Sequence, residues 1–123
     1  MGYYTYFELS TKENKYPITN IMMYMKKEFK KDDWFYPFES EIDNLLFVEE
    51  KNDFSLDCDD VAKWYEHDEE MIELSLQFPQ TVFCLYGEGE ENGDLWYKYY
   101  KNGKMQVCEA KITYDEYDEN KLV

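Results

Sequence analysis

Tyr3, Thr5, Phe7 and Leu9 alternate with Tyr4, Tyr6 and Glu8, a period of two in β-forming residues that predicts a first strand over residues 3–9. A polar loop from Ser10 to Pro17 follows. Thr19 or Asn20 then offers a helix N-cap, and Ile21, Met22, Met25 and Phe29 fall near one stripe that also takes in Glu28, so a helix is predicted to about Lys30. From Glu66 the period is helical again, because His67, Met71, Leu74 and Phe78 are separated by four, three and four residues. Pro79, which lacks an N–H and clashes with the preceding turn, ends that helix.

The stretch 32–57 is harder to assign. Pro37 lies among Trp34, Phe35, Tyr36 and Phe38, and a proline so placed argues against a long regular element. Leu45, Leu46, Phe47 and Val48 read as a short buried strand, while Phe54, Leu56 and Cys58 alternate weakly. Val61–Tyr65 fits a strand end as well as a first helical turn.

The last third reads as an antiparallel meander. Thr81–Tyr86 is a compact apolar strand, followed by the loop Gly87–Asp94. The strand Leu95–Tyr100 places Leu95, Tyr97 and Tyr99 on one face and Trp96, Lys98 and Tyr100 on the other. Asn102-Gly103 supplies the two positive-φ residues that a type I′ hairpin turn requires. The returning strand, Met105–Tyr114, shifts its apolar parity between Val107 and Cys108, which predicts a β-bulge. The expected fold is therefore α+β in one domain over 1–123: an antiparallel sheet of four to five strands with two helices on one face, in a ferredoxin-like sandwich with an additional strand.

Charge changes the picture of what such a domain meets. Thirteen lysines and no arginine oppose 28 carboxylates, for a formal charge of -15. A chain that is 20% aromatic is nevertheless not a disordered acidic tail, since those lack aromatic residues. The field of such a surface repels phosphates, which argues against direct nucleic-acid binding and for a basic partner. The lysines Lys26, Lys27, Lys30 and Lys31 crowd the end of the first helix, where the helix dipole favours cations. The same cluster also fits a head-to-tail homodimer, in which it grips the carboxylates of a second copy.

Reactive groups are few. His67 is the one histidine, so any Ser-His-Asp or Cys-His chemistry must run through it, and its place on the apolar stripe of the second helix points instead to a core or capping role. Cys58, Cys84 and Cys108 form no C-x-x-C pair, and Cys84 and Cys108 sit in apolar runs as expected of free buried thiols. The Glu88–Asp94 loop lacks the ligand order of a calcium loop, and the one histidine with scattered cysteines makes no zinc site. Neither a secretory signal nor a run of about 20 apolar residues is evident. Together these features lead to the expectation of a cytoplasmic, non-enzymatic protein with neither metal nor cofactor.

Carboxylates gather at 57–60, 66–73, 88–94 and 115–119. Neighbours three or four apart on a helix stand about 5–6 Å apart, and alternate residues on a strand about 6.6 Å apart. Both spacings are of the order of those between backbone phosphates, so a surface built from them fits a groove made for DNA or RNA. A merely solvated surface has the same pattern.

The stretch from Lys63 to Met71, the Phe78-Pro79 pair, the Gly87-Glu88-Gly89-Glu90-Glu91-Asn92-Gly93-Asp94-Leu95-Trp96 run and Lys101–Gln106, together with Gly2–Phe7, resemble a group of small phage and prophage proteins. The similarity covers the first strand and roughly residues 60–123. The Phe-Pro pair, acidic loop and Asn-Gly hairpin also resemble, more weakly, ferredoxin-like domains of plasmid and phage proteins. The resemblance implies a mobile-element setting, in which small acidic proteins often inhibit host defence enzymes such as CRISPR effectors, restriction nucleases and nucleotide-signalling systems. The function expected is stoichiometric, anti-CRISPR-type inhibition through a nucleic-acid-mimicking face in the host cytoplasm. That face would be carried by Glu66, Asp68, Glu69, Glu70, Glu73, Glu88, Glu90, Glu91, Asp94 and Trp96, with aromatic anchors drawn from Trp34, Phe35, Tyr36, Trp96 and Tyr100. A small structural or interaction module of a phage, using an aromatic face, and a nucleotide-binding anti-defence protein are the alternatives.

Overall fold

The computed structural model describes residues 3–29, 38–58 and 60–123. Its elements run β1 (Thr5–Lys12), α1 (Ile18–Glu28), α2 (Glu39–Leu45), β2 (Ser55–Asp57), α3 (His67–Gln77), β3 (Val82–Gly89), β4 (Leu95–Lys101) and β5 (Lys104–Glu109), with a short 3-10 turn at Glu119–Lys121. The five strands form one antiparallel sheet in the order β2-β1-β3-β4-β5. The fold is α+β, with a helical layer on one face of that sheet.

Strand alternation decides which residues meet the helices. Phe7 and Leu9 of β1, Leu56 of β2, Phe83 and Leu85 of β3 and Tyr100 of β4 are buried together with Ile18, Ile21, Met22, Met25, Ile42, Met71 and Leu74 from the helices. Leu9 is paired with both Leu56 and Leu85, so one row of side chains crosses three strands beneath the helical layer. β2 and β3 flank β1, run parallel to each other and are joined by α3, the split βαβ arrangement also found in ferredoxin-like sandwiches. After it the chain continues as the β3-β4-β5 meander, so the element order is β-α-α-β-α-β-β-β.

Five local expectations are corrected. The Leu45–Val48 segment is not a strand: Leu45 ends a third helix, α2, and Phe47 is exposed on the turn after it. The cap of α1 is neither Thr19 nor Asn20. Pro17 occupies that position without a side-chain bond, and the first N–H groups of the helix reach the chain after α2, Ile18 N to Glu50 O at 3.0 Å and Thr19 N to Val48 O at 2.7 Å. Orphan helix donors need an acceptor of some kind, and here a distant backbone segment supplies it.

The other three corrections concern the meander. β3 extends through Gly87 and Gly89, which the sequence placed in the loop. β5 ends at Glu109 rather than Tyr114, and its register against β4 is continuous from Lys101↔Lys104 to Trp96↔Glu109, without a bulge. The shifted parity reflects an edge strand whose Met105 and Val107 remain exposed, so neither of its faces must be apolar. Cys108 on this strand is half-buried, whereas Cys58 and Cys84 are buried thiols as expected of the latter. The Asn102-Gly103 turn is as predicted, with φ of 48° and 78°.

Candidate protein-binding site

The sheet register sorts charge along the strands. At one end lie Glu90, Glu91 and Asp94 in the β3–β4 turn and Glu109 at the close of β5, with Asp57 nearer the middle, opposite Glu8; at the other lie Lys12, Lys101 and Lys104. Eight residues of β1 separate the two ends by about 23 Å. α3 runs alongside β4 in the same direction, since His67 meets Trp96 and Ser75 meets Gly103, which puts Glu66 and Glu69 toward the acidic end.

The acidic turn is tied down by the two residues just before β1. The Tyr3 hydroxyl donates to the Asp94 carboxylate and accepts from Glu91 N, Tyr4 N donates to Glu90 Oε1 at 3.1 Å, and Gly89 N donates to Asp94 O at 2.8 Å. The Asp94 carboxylate raises the Tyr3 phenol above its ordinary pKa, mainly through their hydrogen bond. Gly87 and Gly89 are required by this packing rather than by any phosphate: a Cβ on Gly87 would overlap the Trp96 indole, and one on Gly89 would overlap the Asp94 carboxylate and the Tyr3 hydroxyl.

The sequence-predicted site residues divide between scaffold and surface. Asp68 faces inward, accepting from the Tyr100 hydroxyl at 2.7 Å and from Lys98 Nζ at 3.1 Å. Burial alone would raise its carboxyl, but the Tyr100 hydrogen bond and the Lys98 ammonium help hold it below the ordinary range. Glu70 accepts from the indole N–H of Trp64 at 3.1 Å. Trp96 is no exposed anchor: it lies half-buried over Gly87, stacked on His67 at 5.3 Å between ring centres. Tyr100 is wholly buried, and Trp34, Phe35 and Tyr36 lie outside the described residues. Glu66, Glu69 and Glu73 are exposed on the helical layer, while Glu88 is exposed on the opposite, open face of the sheet. Glu69, Glu73, Glu88, Glu90 and Glu91 have no lysine within ion-pair distance among the described residues. The ten residues therefore form no single patch, and Glu88, Glu90, Glu91 and Asp94 are the part that converges.

His67 is held as a neutral imidazole. Its Nδ1 lies 2.6 Å from Trp64 O and its Nε2 2.8 Å from Lys98 Nζ, so Nδ1–H donates and Nε2 accepts. Burial chiefly, and the Lys98 ammonium, lower its pKa below 6.5, against the contrary pull of Trp64 O, Asp68 and Glu69. The unfolded chain thus takes up a proton below about pH 6.5 that the folded chain resists, and this group's contribution to stability is lost as the pH falls through that value. Urea midpoints at pH 7.5 and 5.5 should differ less for His67→Gln than for the parent protein; an identical pH dependence would refute the neutral assignment.

Sequence reasoning passed over the open face of the sheet. Tyr6, Tyr86, Tyr97 and Tyr99 line it, with Tyr86 and Tyr97 directly paired and their rings 5.1 Å apart. Tyr4 and Tyr6 were visible as one face of the first strand, but the sequence did not say which face the helices cover. Tyr4 and Tyr6 also join Glu88, Gly89, Glu90 and Val61 around a shallow groove of about 410 Å³ at the acidic end. Among the described residues no three His, Cys, Asp or Glu side chains converge as metal ligands, and no helix is long and apolar enough to cross a membrane. Of the residues in the sequence segments quoted above, His67, Asp68, Gly87 and Trp96 pack inside the scaffold. No family model, curated protein or solved structure matches the chain.

Proposed function

We propose that the protein is a non-enzymatic, stoichiometric binder that presents its acidic end to the basic, nucleic-acid-binding site of another protein, with a host defence nuclease of the CRISPR-effector class as the partner the phage resemblance favours. The observation that carries this reading is the β3–β4 turn, whose Glu90 and Asp94 carboxylates are held by Tyr4 and Tyr3 at the end of the molecule where the strand register collects acid. Carboxylates fixed before binding lose little side-chain freedom on docking. Their shared field speeds encounter with a cationic groove, and added salt slows it.

The open tyrosine face supports a second reading, an interaction module of a phage assembly whose contacts are aromatic and little affected by salt.

Glu88→Lys/Glu91→Lys alters two exposed side chains and leaves the Tyr3 and Tyr4 bonds to Asp94 and Glu90 in place. Capture from host lysate at 50 and 500 mM salt, with and without competing duplex DNA, should yield a nucleic-acid-binding protein that is lost on adding salt or DNA and at least tenfold depleted with the double variant. Capture that is indifferent to salt, DNA and charge reversal would overturn the acidic-end reading in favour of the aromatic one.

A further inference from the structure

The groove at the acidic end has walls of two kinds. Tyr4 and Tyr6 contribute phenol rings, Glu88 and Glu90 contribute carboxylates, and Val61, exposed beside them, adds an apolar edge. Three hydrogen bonds orient these groups. The Tyr6 hydroxyl donates to Glu8 Oε1 at 2.8 Å, Tyr4 N donates to Glu90 Oε1, and the Tyr86 hydroxyl donates to Glu88 Oε2 at 3.2 Å. The Tyr6 ring is also braced edge-on against Tyr86, 6.5 Å between centres.

A ring face attracts a cation through its quadrupole, and a carboxylate beside it neutralises the charge. The molecule already uses one ring of this groove in that way, since Lys63 Nζ stands 4.9 Å from the centre of the Tyr4 ring. The Tyr6 hydroxyl is held by the Glu8 carboxylate, which with burial keeps the phenol far above its ordinary pKa, so the ring stays neutral at any physiological pH. A planar guanidinium suits walls of this composition better than an ammonium does, because it can stack on a ring and donate in its own plane to a carboxylate.

From these contacts we infer that the Tyr4–Tyr6–Glu88–Glu90 groove is a receptor for a single arginine side chain of the partner. The inference rests on the proposed function for its partner but on the groove alone for its ligand. Arginines that grip phosphates in a nucleic-acid site are the side chains that such a groove takes out of action.

The probe is N-acetyl-arginine amide, with the lysine amide and the neutral citrulline amide for comparison, titrated into the full chain and followed by the aromatic NMR signals. Arginine should shift Tyr4 and Tyr6 saturably at millimolar concentration, with Tyr99 and Tyr114 unmoved. Citrulline should bind at least tenfold more weakly, and lysine more weakly than arginine. Tyr6→Leu should remove saturation; because that variant also alters the sheet face, Glu88→Gln, an exposed change, provides a second test and should weaken arginine severalfold. Equal response to citrulline, or unsaturable shifts spread over the surface, would overturn the site. Equal response to lysine would overturn the guanidinium assignment. Arginine binding without any DNA-competed partner in lysate would leave this inference standing and remove the proposed function.

Discussion

Replacing Trp64 by alanine is expected to cost about 3–5 kcal/mol of unfolding free energy, the usual range for truncating a buried indole. Trp64 is 2% exposed, and its ring lies 5.3, 5.4 and 5.9 Å from those of Phe7, Phe29 and Phe38, so it joins the sheet to the chain on both sides of the 30–37 segment. Its indole N–H also holds Glu70, and His67 packs against it. A domain of this size has about 5–15 kcal/mol in total, so the variant should show a much lower urea midpoint at neutral pH. Trp64→Phe should recover a good part of the loss, since it keeps a ring in the cluster. A midpoint for the alanine variant within experimental error of the parent would mean that these ring contacts do not hold the fold together.

Asp68→Ala is the second large effect, at about 2–4 kcal/mol. The change removes the acceptor of a buried hydroxyl and the counter-charge of Lys98, whose side chain is only 14% exposed, and an uncompensated buried charge costs more than the pair contributed. The Asp68 side chain is itself 35% exposed, so water reaches it and the loss should fall below that of a fully buried pair. Lys98→Met in the same background should restore part of the stability by removing an ammonium that has lost its counter-charge. A double variant no more stable than Asp68→Ala would place the cost in the Tyr100 bond instead. The outcome also separates two roles for α3. Asp68 and Glu70 were grouped with Glu66, Glu69 and Glu73 as partner-binding acids, yet their carboxylates are turned toward Lys98, Tyr100 and Trp64. Charge reversal there would test folding rather than recognition.

Elements with their own periodic signal could be read before any tertiary contact was known. β1 alternates Phe7 and Leu9 inward with Tyr6 and Glu8 outward, as its pattern requires, and α3 buries Met71 and Leu74 on the stripe that their spacing marks. The Asn102-Gly103 turn is equally local, because positive φ at two successive positions is what those two residues tolerate. Leu45–Val48 was misread because a short apolar run fits a buried strand and a helix end alike. At β5 the parity argument failed for a different reason. It presumes one buried face, and an edge strand with Met105 and Val107 in solvent has none.

The candidate site shows the same division. Which carboxylates exist, and that they outnumber the lysines by more than two to one, is a property of composition and needed no fold. Which of them share a surface was decided by the sheet register. It carries Glu90, Glu91, Asp94 and Glu109 to one end of the strands and Lys12, Lys101 and Lys104 to the other, although Lys12 lies far from the rest along the chain. Side-chain partners settled the rest: Lys98 and Tyr100 drew Asp68 inward, and Tyr3 and Tyr4 fastened the acidic turn from ninety residues away. Local sequence specifies dihedral preference and period, which act over a few residues. Strand pairing and burial are settled between distant segments, and those alone convert a net charge into a face.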